Sequence, residues 1–217
     1  MNKIKSFVVM TRYNENFDWI ENYTDEYIIY NKGTPIYDNP KVLNVPNQGK
    51  NARDIPYYAY NNDYNSMPDL IAFIQAIPYD HCSKPIFEKL IYGDKFTVID
   101  DPLILGTSPS YMVLDDMFAE YNSRQPIGNH WNPPSRYASF DALMYKYFED
   151  YDSPDWVKFS KGIQYIVEKE QLVYPKKFWK SLMDDLPYND MMEGHFIERA
   201  MWYILTHAYT LKEEYYD

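Results

Sequence analysis

The chain has 217 residues, 46% of them hydrophobic, with a formal net charge of -11. That is enough apolar material for a sizeable core, and it excludes a disordered chain. The acidic balance excludes a duplex nucleic-acid surface, which needs clustered Lys and Arg, but leaves room for a small phosphate ligand held by a few placed cations.

No apolar run approaches the roughly 20 residues of a membrane span. Met1 to Ser6 lacks the pattern of a secretory leader. The single cysteine, Cys82, excludes an internal disulfide and fits a reducing compartment. These features predict a cytoplasmic protein with no membrane span. Aromatic residues are abundant, with 24 Tyr, 11 Phe and 5 Trp, and their faces suit nucleobases and sugar rings.

In chain order, Phe7-Val8-Val9-Met10 predicts a first buried strand that stops at the polar loop Thr11 to Glu15. A helix-like Phe17 to Ile20 follows. Glu26 to Tyr30 reads as a second strand, ended by the turn Asn31-Lys32-Gly33, and Val42 to Val45 as a third, closed by Pro46. A polar segment from Asn47 to Asp54 leads into a Tyr-rich helix reaching about Tyr64. Leu70 to Gln75, mostly apolar, predicts a central strand buried on both faces, followed by a Pro-punctuated turn carrying Tyr79, Asp80 and His81. Strand and connection alternate throughout this half, which predicts a largely parallel sheet with crossovers.

Beyond it, Phe87 to Tyr92 reads as helix and Phe96 to Ile99 as strand. Residues 101–137 are rich in Pro, Gly, Ser and Asn and read as loop, most clearly from Gly128 through His130 and Trp131 to Pro134. Phe140 to Phe148 has helical spacing, and strands are expected at Trp156 to Phe159 and Gln164 to Val167, around Gly162. A helix beginning near Pro175 carries Phe178, Trp179, Leu182 and Met183 on one stripe. The last helix is expected from about Asp190 to His207, capped by Asn189, with Phe196, Ile197, Ala200, Met201 and Ile204 inward. One domain is predicted over 1–217, its first hundred residues binding a nucleotide and its remainder closing over the sheet edge.

Ligands of open α/β sheets sit beyond the carboxyl ends of the strands. There, Thr11, Arg12 and Tyr13 supply a hydroxyl, a cation and an aromatic face, and Asn31 an amide, as a base requires. Gly49 permits close backbone approach and Arg53 adds a cation, which together suit a diphosphate. Asp80 is read as a metal ligand. Asp150-Tyr151-Asp152 reads as a solvated acidic loop.

Val8 to Asn14, then Asn47-x-Gly49-x-x-Ala52-Arg53-Asp54, then an apolar strand ending in an acidic segment resemble the nucleotide-binding half of a GT-A glycosyltransferase. Tyr30 to Gly33, Phe73-Ile74-Gln75 with Tyr79-Asp80-His81, and Glu198-Arg199-x-x-Trp202 further resemble small glycosyltransferases of large DNA viruses of the chlorovirus type, and of their cellular relatives. The resemblance implies an α/β GT-A-like fold, a central mostly parallel sheet flanked by helices. It also implies a UDP-sugar donor, a glycan or glycoprotein acceptor, and Mn²⁺ or Mg²⁺. It places uracil on the first loop, the diphosphate near Arg53 and the ion on Asp80, although the Asp-x-Asp of that family is reduced here to Asp80 alone. A histidine from the C-terminal region, His207 before His81 and His195, would complete the ion's shell. Glu198, or failing it Glu193, would act on the acceptor hydroxyl, and Gln75 and Gln164 would contact the donor sugar. A viral relative would work in the host cytoplasm. Two other readings remain: a non-catalytic nucleotide- or carbohydrate-binding module, and a nucleotide-sugar hydrolase.

Overall fold

The computed structural model describes residues 3–103, 110–122, 136–186 and 192–216. Its centre is a mixed six-stranded sheet flanked by helices. The strands are β1 (Phe7–Arg12), β2 (Tyr27–Asn31), β3 (Val42–Asn44), β4 (Leu70–Gln75), β5 (Thr97–Val98) and, from the second half, β9 (Tyr165–Glu168). Their order is β3-β2-β1-β4-β9-β5. The first four are mutually parallel, with Val9 opposite both Ile28 and Phe73. Strand β9 enters antiparallel between β4 and β5, Ile71 facing Val167 and Val98 facing Tyr165. Strand β5 therefore points the same way as β1 and β4.

Strand side chains alternate between faces, and here both faces are covered. Val9, Ile71, Phe73, Tyr165 and Val167 join one core, and Val8, Met10, Ala72, Ile74 and Ile166 join the other. This explains why β1 and β4 read as continuous apolar runs and not as alternating ones. The first core is closed by α1 (Asp54–Asn61), α3 (Phe140–Tyr147), α4 (Lys176–Asp184) and α5 (Met192–Leu205). The second is closed by the short 3-10 helix Asp18–Asn22 and by α2 (Lys84–Leu90), through Ile20, Phe87 and Ile91. The stripes expected on α4 and α5 are the buried ones.

The expected loop over 101–137 is corrected in part. It contains the hairpin of β6 (Tyr111–Leu114) and β7 (Met117–Tyr121), to which β8 (Trp156–Lys158) adds as a third strand. The turn residues Asp115 and Asp116 both have positive φ, 50° and 60°, as a two-residue hairpin turn demands. The strands expected on either side of Gly162 consequently belong to different sheets. His130, Trp131 and the Asn189 cap lie outside the described residues. Among the described residues no helix is long and apolar enough to cross a membrane.

Candidate functional site

The carboxyl ends of β1, β2 and β4 open into a cleft of about 380 Å³. Strand β1 and its loop contribute Thr11, Arg12, Tyr13 and Glu15, and the residue after β2 contributes Lys32. The segment before α1 contributes Asn47, Lys50 and Asn51. The end of β4 and the turn after it contribute Gln75, Ala76, Ile77 and Asp80. The ladder continues past the strands to hold this edge: Lys32 N donates to Arg12 O and Ala76 N to Thr11 O, both at 2.8 Å. Trp19 Nε1 pins Ala76 O at 3.0 Å. Gly33 allows the first loop to fold down, since a Cβ there would overlap Tyr13 O.

A buried ion pair lies against the cleft. Lys32 Nζ is 2.5 Å from Asp54 Oδ1, and the two side chains are 3% and 5% exposed. Asp54 Oδ2 accepts from Thr11 Oγ1, and Lys32 Nζ also donates to Lys50 O. Burial pushes the Asp54 carboxyl up and the Lys32 ammonium down, each against the pull of its partner. The pair is thus costly to desolvate. An ammonium has three donors, and two of those on Lys32 are accounted for by Asp54 and Lys50 O.

Two of the lining residues, Asn51 and Gln75, are tied together behind the cleft by Gly162. Its N–H donates to Glu198 Oε1 at 2.7 Å, and its carbonyl accepts from Asn51 Nδ2 at 2.5 Å and Gln75 Nε2 at 3.1 Å. One residue thereby joins α5, the segment before α1 and the end of β4. Gly162 and Ile163 both have positive φ, 74° and 56°.

Of the predicted residues, Thr11, Arg12, Tyr13, Gln75 and Asp80 line the cleft together. Asp80 is exposed and makes no hydrogen bond or ion pair to a described residue. Arg12 is partly committed to the loop, donating to Glu15 O at 2.8 Å and Asn31 Oδ1 at 2.6 Å.

The others sit elsewhere. Asn31 is buried: its oxygen accepts from Arg12 and its nitrogen donates to Thr34 O and Asn44 Oδ1, so its amide braces the β2–β3 edge. Gly49 packs against Leu186. Arg53 lies over the Tyr57 ring, 5.1 Å from its centroid, and is not a lining residue. Gln164 is fully buried, accepting from Gln75 N and donating to Pro78 O; it holds the β4 turn from behind.

Glu193 is fully buried and accepts from Arg136 N. Glu198 reaches the cleft only through Gly162. Burial pushes its carboxyl up, but His195, the Arg199 charge and the Gly162 amide outweigh that and hold it below the ordinary value. His195 Nδ1 is 3.8 Å from Glu198 Oε2. His81 packs beside Gly162. Asp150 and Asp152 accept from Thr210 and Tyr209 and so pin the segment after α5.

His207 stands apart for a geometric reason. It stacks on Tyr174, ring centroids 4.7 Å apart, just beyond the end of α5. Leu205 O accepts there from Gln171, which follows β9 where Glu168 pairs with Leu70 at the start of β4. That is the opposite sheet edge from Asp80. Among the described residues no group of three His, Cys, Asp or Glu is placed to hold a metal ion. His207 is therefore not placed to share an ion with Asp80.

Reasoning from sequence gave no individual role to Lys32, Asp54, Glu15, Asn47, Lys50 or Asn51, although Lys32 and the Asn47 to Asp54 segment lay within the motifs it singled out. Lys32 carried a usable signal, a cation directly after a buried strand. Asp54 carried one only in its position at a helix start.

No family model matches the chain, and neither a curated protein nor a solved structure matches it significantly.

Proposed function

We propose that the cleft binds a nucleoside diphosphate sugar, with UDP as the nucleotide, and that the protein transfers the sugar to a glycan or glycoprotein acceptor. The observation that carries this reading is the mixed lining: three cations, Arg12, Lys32 and Lys50, beside the exposed faces of Tyr13 and Ile77. In a chain of net charge -11 this lining sets three cations, one of them paired with Asp54, against the two carboxylates Glu15 and Asp80, beside an apolar surface at one strand edge. That combination suits a phosphate joined to a ring.

The uracil would lie against Tyr13 with Thr11 nearby, and the diphosphate near Lys32 and Lys50. Lys32 is held in place by Asp54, so its charge would act on a phosphate without first being ordered. A divalent ion, Mn²⁺ or Mg²⁺, would rest on Asp80, water and the ligand's own phosphate oxygens, a donor set such ions accept. Bound there, it would neutralise charge on the diphosphate. Gln75 would face the sugar.

Glu198 accepts the Gly162 N–H and is not a lining residue, so its role would be to hold the cleft wall in register. The carboxylates on the cleft itself are Glu15 and Asp80. Glu15 Oε2 accepts from the Tyr13 and Asn14 amides, which orders the base-side loop. That neither predicted catalytic Glu lines the cleft favours a second reading, a non-catalytic nucleotide- or sugar-binding module. The test is UDP release from a panel of UDP-sugars, with Mn²⁺, with and without oligosaccharide acceptors. Acceptor-dependent release supports transfer, acceptor-independent release indicates a hydrolase, and binding without release leaves the module.

A further inference from the structure

The turn after β4 carries an aromatic group out of the cleft. Ile77 and Asp80 line the cleft, and Tyr79 between them is 39% exposed. Its ring packs edge to face on Phe87 of α2, centroids 5.5 Å apart. Phe87 meets Trp19 at 6.0 Å, Trp19 meets Tyr23 at 5.7 Å, and Tyr23 meets Tyr92 at 6.4 Å. Tyr92, just past the end of α2, is 38% exposed; Trp19 and Tyr23 are half-buried. The rings form one connected band, and Trp19 Nε1 ties it to the lining residue Ala76 through its carbonyl.

The polar atoms of the band are neutral hydroxyls and one carboxylate. Tyr23 OH donates to Glu88 Oε1 at 3.4 Å. Burial, then Tyr79, Glu88 and Tyr92, push the Tyr23 phenol up to about 12, which places all three around it and keeps it protonated. The Tyr79 and Tyr92 hydroxyls make no hydrogen bond to a described residue, so each is left to donate and to accept.

We propose that this band seats the acceptor, and that the acceptor is a neutral oligosaccharide. A sugar ring offers a C–H face to an aromatic ring and hydroxyls to free phenols and a carboxylate, the groups gathered here. An anionic chain would meet Glu88 and a protein of net charge -11. The band starts at Tyr79, between Ile77 and Asp80, so a chain lying on it ends at the cleft mouth. The inference rests on reading the cleft as a transferase site and adds the class of acceptor.

The test is NMR titration with neutral linear tetrasaccharides of glucose, galactose, mannose and N-acetylglucosamine, each with and without UDP. Tetralysine is the peptide probe, since aromatic faces beside a carboxylate also attract cations. At least one tetrasaccharide should bind. Its affinity should fall about tenfold in Tyr79→Ser and in Tyr92→Ser, with UDP affinity unchanged. Both tyrosines are exposed and lie on separate segments, so either variant suffices if it melts like wild type.

No tetrasaccharide binding, or binding undiminished in both folded variants, overturns the band as an acceptor seat. Binding of tetralysine alone, lost in the same variants, also overturns it and marks a surface for basic peptides. Tetrasaccharide binding lost in the variants, without any binding of UDP, supports the band and refutes the nucleotide reading. UDP binding without tetrasaccharide binding does the reverse.

Discussion

Replacing Asp54 with alanine would strand a buried ammonium. Lys32 and Asp54 are both almost fully shielded and sit 2.5 Å apart, and removing one member of such a pair costs about 3–5 kcal/mol. The loss should also depend on pH. Burial already holds Lys32 below the ordinary lysine value while Asp54 pulls the other way; without the carboxylate it falls further. Between that lowered folded value and the unfolded value near 10.4 the unfolded chain binds the extra proton, so stability rises with pH, by at most about 1.4 kcal/mol per unit. Urea unfolding at pH 7 and pH 9.5 measures both effects. Asp54→Ala should be far less stable than wild type at pH 7 and recover part of the difference at pH 9.5. Lys32→Met combined with Asp54→Leu should regain most of the loss, since apolar replacement of a buried pair is often neutral. A loss below about 1 kcal/mol, the size expected of an exposed pair, and equal at both pH values, would refute the claim that the pair is buried.

Gly162→Ala should lower stability by about 1–3 kcal/mol from backbone strain alone, with further loss from the collision with Gln75 and His81, and should weaken sugar binding; a thermal melt and a titration read the two effects separately. Asp80→Asn should leave the fold and metal-free UDP affinity unchanged but abolish any tightening of UDP binding by Mn²⁺, as followed by calorimetry. Burial raises the Asp100 carboxyl to about 6, against the pull of Lys161 at 3.5 Å. The native state therefore binds more protons than the unfolded chain between about pH 4 and pH 6, and this group's contribution to stability falls as pH rises through that window. Asp100→Asn should flatten that fall in unfolding midpoints measured from pH 4 to pH 7.

The half of the site that was legible lies at strand ends. An apolar run that stops at Thr11-Arg12-Tyr13 or at Gln75 marks the sheet's carboxyl edge directly, and the topology brings those edges together. The hairpin turn at Asp115-Asp116 was overlooked although its strands, Tyr111–Leu114 and Met117–Tyr121, hold no Pro, Gly, Ser or Asn, because the segments on either side of them are rich in those residues. Lys32 and Asp54 are ordinary turn and helix-start residues in one dimension; their meeting requires the parallel arrangement of β1 and β2 and the packing of α1. Asn31, Gln164 and Glu198 lie near the edge, but their side chains are bonded to protein groups, and which partner a polar side chain finds depends on residues distant in sequence. His207 failed on length: Leu205 is already seven residues beyond Glu198, roughly 10 Å farther along the helix axis, which carries the histidine toward the wrong end of the sheet.

The most direct measurement compares UDP with uridine by titration calorimetry, each with and without Mn²⁺. The account predicts that UDP binds, that Mn²⁺ tightens its binding, and that uridine, lacking the diphosphate, binds far more weakly and without regard to the metal. Equal affinity for UDP and uridine, or no heat from either, would contradict it.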